Sequence, residues 1–527
     1  MSKSAEITPL WQPLRTPTFR NLLIASVVSD IGAFMQTVGA AWLMVSFNAG
    51  PMYVALTQTA SALPFFVFAL PAGAIGDIVD RRKLILYTEI WMVGVALVLA
   101  ALTVSRSISP LALLILTFAL SAGDAFESPS WRAVLPELVK KDDLPAASAL
   151  NGIEFNLARA VGPGLAGLVI AAAGVGSALV LNAISFMGVI VVVARWKRLI
   201  PKRITPPETV EGATIAAIRY VRYSPAIRTL LTRSGLVMFF ASGLLALLPS
   251  LALIVENNPT IYGLLLGCFG LGAVLGALVM QRVRARWSTE AVVGGGVAIF
   301  GLTTLATSIL RSLPALSGVM LLGGSAWIVF LSLFNVLVLN HAPDWVRARV
   351  LAISTLVFQG AIALGSATWG AVAARFGIRG ALVCAGVGTI ATTALAPFLR
   401  LPDTTVDLTS WNHWRLPATV DHPLPTDDDF GPVLVSVEYQ VSSEEAAEFL
   451  KAVRQHRRIR RRDGARNWGI FRDMENADRY VETFIVSSWA EHLRQHERLT
   501  RADRDTEERV QRYVLSEPKV RHLISAR

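Results

Sequence analysis

An all-α polytopic membrane protein of about twelve spans in two six-helix bundles, followed by a small C-terminal α+β domain, is the fold class that the sequence predicts. Three observations predict it. Of 527 residues, 53% are hydrophobic and only 17% are charged, which is too apolar for a water-soluble chain of this length. Apolar runs of about 20 residues, the length that crosses a hydrocarbon core, recur as far as about residue 400. Beyond that point the chain turns polar and then alternates as strands and amphipathic helices do.

The spans are predicted at Asn21 to Phe47, Val54 to Ile75, Leu84 to Val104, Leu111 to Ser130, Ala147 to Ala172 and Ala178 to Ala194. A second set follows at Ile227 to Val255, Tyr262 to Val279, Ala291 to Leu310, Ala315 to Leu339, Val350 to Ala373 and Ile378 to Leu399. Between the sets, residues 197–224 carry prolines and charges that cannot continue a membrane helix. The predicted organisation is therefore a bundle over 1–196, a linker over 197–224, a second bundle over 225–400, a polar, proline-rich linker over 401–431 and a domain over 432–527. In that last domain Val433 to Val441, Ala465 to Phe471 and Tyr480 to Ser487 read as strands. Ser443 to Arg462 and Trp489 to Tyr513 read as helices.

Basic connections such as Arg81-Arg82-Lys83, Lys140-Lys141 and Arg282-Arg284-Arg286 alternate with uncharged ones, so both termini are expected on the cytoplasmic side of the plasma (inner) membrane. The N-terminal residues lack a secretory apolar core, and no cleaved signal is expected. The net charge of +11 sits in these loops and in the tail, a placement suited to lipid headgroups; the aromatic interleaving of a nucleic-acid site is missing. Cys268 and Cys384 have no ligand-type neighbours, so neither a disulfide nor a metal site is implied. No phosphate-binding loop of the GxxxxGK type appears, and no cofactor is expected.

Ionisable residues inside the spans are the functional candidates, because each demands a partner, a water-filled cavity or a role. Asp30 stands near the middle of the first span and is the proton-coupling candidate; the alternative is a permanent hydrogen-bond acceptor between helices. Asp124, Glu127, Glu154 and Arg159 form a candidate buried charge network, either a gate or an ion pair that fastens helices. Glu89 and Arg233 are expected to snorkel or face a cavity. Gly162, Pro163 and Gly167 form a candidate helix-bending motif. In the tail, His456, His492 and His496 suggest a base or metal set, with His492 and His496 four apart, but the charged, solvated face of that helix argues against a metal site.

Gly73, Asp77, Arg81 and Arg82, in the loop after the second span, resemble the G-x-x-x-D-[RK]-x-G-R-[RK] signature of the major facilitator superfamily, with Ile78 and Asp80 departing from it. Met280 occupies the place of Asp77 in the second half. The stretches Phe126 to Pro129, Leu135 to Leu138, Asn156 to Arg159 and Gly162-Pro163 to Gly167 are similar to the branch of enterobactin and macrolide exporters. This resemblance implies a gating loop at Gly73, Asp77, Arg81 and Arg82, with Asp77 facing the start of the eleventh span near Arg347. It also implies secondary active transport: proton-coupled efflux of an amphipathic small molecule, siderophore or drug-like, by alternating access, with import as a weaker reading. Arg460 to Ala465, Trp468, Asp473 and Ser488 to His492 resemble the ferredoxin-like domain of antibiotic-biosynthesis monooxygenases. That likeness implies dimerisation through the tail, or the alternative function of a membrane-anchored monooxygenase-like enzyme or binding domain.

Overall fold

The computed structural model describes residues 9–196, 210–402, 407–409, 411 and 431–525. Residues 197–209 and most of the 401–431 linker lie outside the described residues.

Six long helices come first: α1 Pro17–Ser46, α2 Gly50–Ile78, α3 Arg81–Val104, α4 Pro110–Leu138, α5 Leu144–Ala173 and α6 Val175–Arg195. After a shorter helix, α7 Val210–Tyr223, come α8 Pro225–Val255, α9 Pro259–Arg286, α10 Thr289–Ile309, α11 Leu313–Asn340 and α12 Arg347–Ala391. Among the described residues, eleven helices are long and apolar enough to cross a membrane. The last of these contains the eleventh predicted span and most of the twelfth. Its 45 residues would reach about 68 Å as one rod, far beyond a hydrocarbon core of about 30 Å. Gly377, at φ 80° and ψ 158°, breaks the helix and lets the chain reverse, a left-handed conformation that glycine adopts without steric penalty.

Local sequence fixes where the helices start. Proline stands in the first turn of α1, α2, α4, α5 and α9, where its missing N–H goes unneeded. Asp80, Ser109 and Ser288 accept backbone N–H groups at the starts of α3, α4 and α10.

By contacts the chain divides into two compact units. The first holds residues 1–204, 231–335 and 352–401. Within it α1 packs on α5 and α6, α2 on α4, and α3 on α4 and α6, while α5 meets α9 of the second half.

The second unit holds residues 205–230, 336–351 and 402–527. Its centre is a four-stranded antiparallel sheet in the order β2-β3-β1-β4, from β1 Val433–Gln440, β2 Arg466–Arg472, β3 Arg479–Val486 and β4 Lys519–Ile524. Together with α13 Ala446–Asp463, α14 Trp489–Arg498 and α15 Arg501–Gln511, the element order is a split β-α-β-β-α-β motif. Val433, Val435, Val437 and Tyr439 alternate onto the buried face of β1, where Phe449 and Val453 of α13 cover them.

Two features depart from the sequence reading. The helix expected over Trp489 to Tyr513 is broken at Leu499, because the Asp503 carboxylate accepts the Thr500 N–H at 3.0 Å and starts a new helix. The linker region contains α7, whose Ala216, Ala217 and Tyr220 are buried.

Candidate functional site

Burial of charge organises the first half of the membrane region. Asp30 from α1, Glu89 from α3, Asp124 and Glu127 from α4 and Glu154 from α5 surround one chamber of about 290 Å³. A single cation, Arg132, stands in its wall. Thr88 donates its hydroxyl to Glu127 Oε2 at 2.8 Å, and Asp30 and Glu154 are in hydrogen-bonding contact. A hydrogen bond between two carboxyl groups needs a proton to donate. Among the described residues Glu89, 3% exposed, keeps one oxygen without a partner, and so does Glu154. Such a chamber can hold protons and exchange them as its shape and hydration change.

A second cavity, of about 340 Å³, lies between the two halves and is lined from α1, α2, α4, α8, α9 and α12. Alanine, leucine, Phe65 and Pro249 surfaces alternate there with Gln36, Gln58, Ser121, Tyr262 and Gln359. Gln36 is 5% exposed, and neither end of its amide has a partner among the described residues. An amphipathic guest would find apolar area and unused donors and acceptors together. Asp124 lines both this cavity and the carboxylate chamber.

Arg159 sits apart from the network that the sequence predicts for it. Its guanidinium stacks over the Phe155 ring at 4.7 Å, and the chamber's cation is Arg132 instead. Arg233 also departs from expectation. It is 4% exposed and ion-paired with Glu290 at 2.6 Å, and it donates to Leu399 O at 3.1 Å.

Of the signature loop, Gly73 lies within α2, and the Asp77 side chain falls outside the described residues. Arg81 reaches Glu137 at 2.8 Å and Ala133 O at 3.1 Å, fastening α3 to the end of α4. Arg82 donates to Val193 O and Ala194 O at 3.0 and 2.6 Å, capping α6. The glycine motif of α5 is a packing surface. A Cβ on Gly162 would stand 2.7 Å from that of Phe34, and one on Gly263 of α9 would stand 2.5 Å from Pro163 O and 2.9 Å from Gly167 Cα.

In the tail, His522, which sequence spacing does not single out because it comes from β4, joins His492 and His496. Its Nε2 is 2.9 Å from His492 Nε2, which is 3.2 Å from His496 Nε2. No group able to hold a metal ion occurs among the described residues. Burial, with His496 and His522 adding to it, holds the His492 imidazole down at about 3. Next to it, burial pushes the Glu491 carboxyl up, but Arg498, Arg219 and Arg494 outweigh that and hold it at about 2. Arg219 comes from α7; it also donates to Arg462 O at 2.9 Å.

The model of the transmembrane secretion effector family matches residues 8–527, tail included. The multidrug efflux pump Tap of Mycolicibacterium fortuitum is 25% identical over 72% of this chain and 94% of its own. The staphyloferrin A transporter of Staphylococcus aureus is 23% identical over 71% and 94%. The enterobactin exporter EntS of Salmonella choleraesuis is 25% identical over 51% and 64%. Among solved structures, a bacterial homologue of the human lysosomal transporter Spinster, inward-facing and unoccupied, superposes with a TM-score of 0.58 at 14% identity, covering 74% of this chain and 96% of that one.

Proposed function

The chain belongs to the transmembrane secretion effector family of the major facilitator superfamily, and from that premise we propose that it exports an amphipathic small molecule in exchange for protons. It is a multi-pass membrane transporter. The substrate class rests on the central cavity, where apolar walls and the free amide of Gln36 are mixed. Relatives named for multidrug, staphyloferrin A and enterobactin transport support siderophore-like or drug-like cargo.

One observation carries the coupling: Asp124 stands in the wall of both the substrate-sized cavity and the carboxylate chamber. A proton on Asp124 can therefore answer to the guest on one side and to Asp30, Glu89, Glu127 and Glu154 on the other. Alternating access links the two when the halves rock about the cavity. Basic loops support an inner-membrane orientation with both termini in the cytoplasm. Pairing of two tails through the open face of the sheet is the oligomeric state proposed, by analogy with the domain it resembles.

Proteoliposomes containing the full chain test the reading. Uptake of a fluorescent amphipathic cargo should follow an imposed pH gradient and collapse when the gradient is discharged. Movement indifferent to the gradient rejects proton coupling.

A further inference from the structure

The second unit carries a groove of its own. It has a volume of about 860 Å³ and runs between α13 and the turn Tyr223-Ser224-Pro225. Lys451, Arg454 and Arg458 present one exposed face of α13 to it, in a row about 10 Å long at 1.5 Å rise per residue. Lys451 has only an exposed contact of 3.7 Å with Glu448. No ion pair or hydrogen bond engages Arg454 or Arg458 among the described residues. The one carboxylate in the wall, Asp503, is already taken up by Arg462, which donates to both of its oxygens at 2.9 and 2.8 Å. The groove thus has two cations without matching anions, Arg454 and Arg458, and a third, Lys451, in a long exposed pair with Glu448, above an apolar floor that includes Leu450 and Ile459.

We propose that this groove docks the phosphate headgroup of an anionic phospholipid. Charge sets the phosphate; two further observations set the lipid. Pro225 in the groove wall is also the first residue of α8, a helix apolar enough to span a membrane, so one wall of the groove is continuous with a span. The helix before it, α7, buries Ala216, Ala217 and Tyr220 but exposes Ile215 at 44% and Ile218 at 51%, beside the exposed Arg222. Exposed isoleucines beside an arginine on a short helix suit a membrane interface. Acyl chains can follow these isoleucines while the phosphate meets the α13 cations. A free phosphate ion would use the cations but leave the apolar floor and the isoleucines uncovered.

Full-length protein in mild detergent, offered phosphatidylglycerol or phosphatidylcholine and weighed intact by mass spectrometry, tests this. Retention of phosphatidylglycerol over phosphatidylcholine should be at least about tenfold, since each cation near anionic lipid contributes appreciably. Combining Lys451→Ser, Arg454→Ser and Arg458→Ser should abolish that preference, whereas Arg454→Lys with Arg458→Lys should keep it. Single Arg458→Ser, an exposed change that leaves the fold intact, should give an intermediate value. Undiminished preference in the triple and single variants overturns the proposal. So does millimolar inorganic phosphate that displaces the retained lipid completely, because a free ion would then satisfy the site. Neither result bears on export or its coupling ion.

Discussion

Asp30 and Asp124 face the same 290 Å³ chamber, but only Asp124 also faces the cavity between the halves. On the proposed export mechanism, residue 30 stores charge and residue 124 links that store to the cargo. Asp124→Asn is expected to lower gradient-driven transport by about tenfold or more, the scale of an ordinary coupling free energy, while cargo binding in the absence of a gradient survives. Asp30→Asn should shift the pH at which transport is half-maximal and retain gradient dependence. Equal pH profiles and rates for wild type and both variants would remove the carboxylates from the mechanism.

The approach of α5 to α9 supplies a steric prediction. A Cβ on Gly263 would lie 2.5 Å from the carbonyl oxygen of Pro163, so Gly263→Ala must push the two helix backbones apart. Overpacking of this sort costs about 1–3 kcal/mol, and the thermal transition in detergent should fall accordingly. Gly164→Ala meets nothing within 4 Å and serves as the control, with a transition unchanged or slightly raised. A Gly263→Ala protein as stable as the control would show that the helices separate without penalty.

Sequence alone reveals the spans because each apolar run is long enough to cross a bilayer, and it reveals the acids because charge inside such a run stands out. What it misses follows from geometry between helices. Arg159 is five residues beyond Glu154, which at 3.6 residues per turn rotates it about 140° away, so the two cannot line one chamber. Glu89 reads in sequence as snorkelling or facing a cavity, and it lines the chamber beside Glu127 and Asp30. No pattern within α3 reports which neighbour it faces. The helix α7 is masked by prolines that precede it, although Ala216, Ala217 and Tyr220 repeat at helical spacing. The edge strand β4 offers a single core residue, Val520, among charges, too little alternation to read.

Arg219 of α7 bonds Glu491 of α14 at 2.8 Å, with both side chains largely buried. Arg219→Ala leaves Glu491 held by Arg498 and Arg494, so the sheet should stay folded while α7 loosens. Loss of hydrogen bonds to a charged group costs about 1.5–3 kcal/mol. Hydrogen exchange on the full chain should accelerate across 210–223 and hold steady across the strands. Acceleration confined to the strands, with α7 unaltered, would contradict the arrangement.

Acid should destabilise the tail through its histidines. His456 is held at about 4 by burial and the Arg460 charge, against the opposing pull of Glu482, and His492 at about 3. An unfolded histidine takes up its proton near pH 6.5. Because both folded values lie below that, the unfolded state binds more protons between them, and stability falls as pH drops from about 6.5 towards 4 and 3. At pH 5 each imidazole forgoes up to about 2 kcal/mol, while Glu491, folded at about 2, adds its loss only below its ordinary value of 4.5. Hydrogen exchange of residues 433–524 in the intact chain should thus quicken between pH 7 and 5, after correction for intrinsic rates. His456→Gln should flatten that dependence in part, since His492 and His522, whose imidazole burial also holds down, remain. Protection that stays level from pH 7 to 5 in the unaltered chain would mean that these histidines keep their protons on folding.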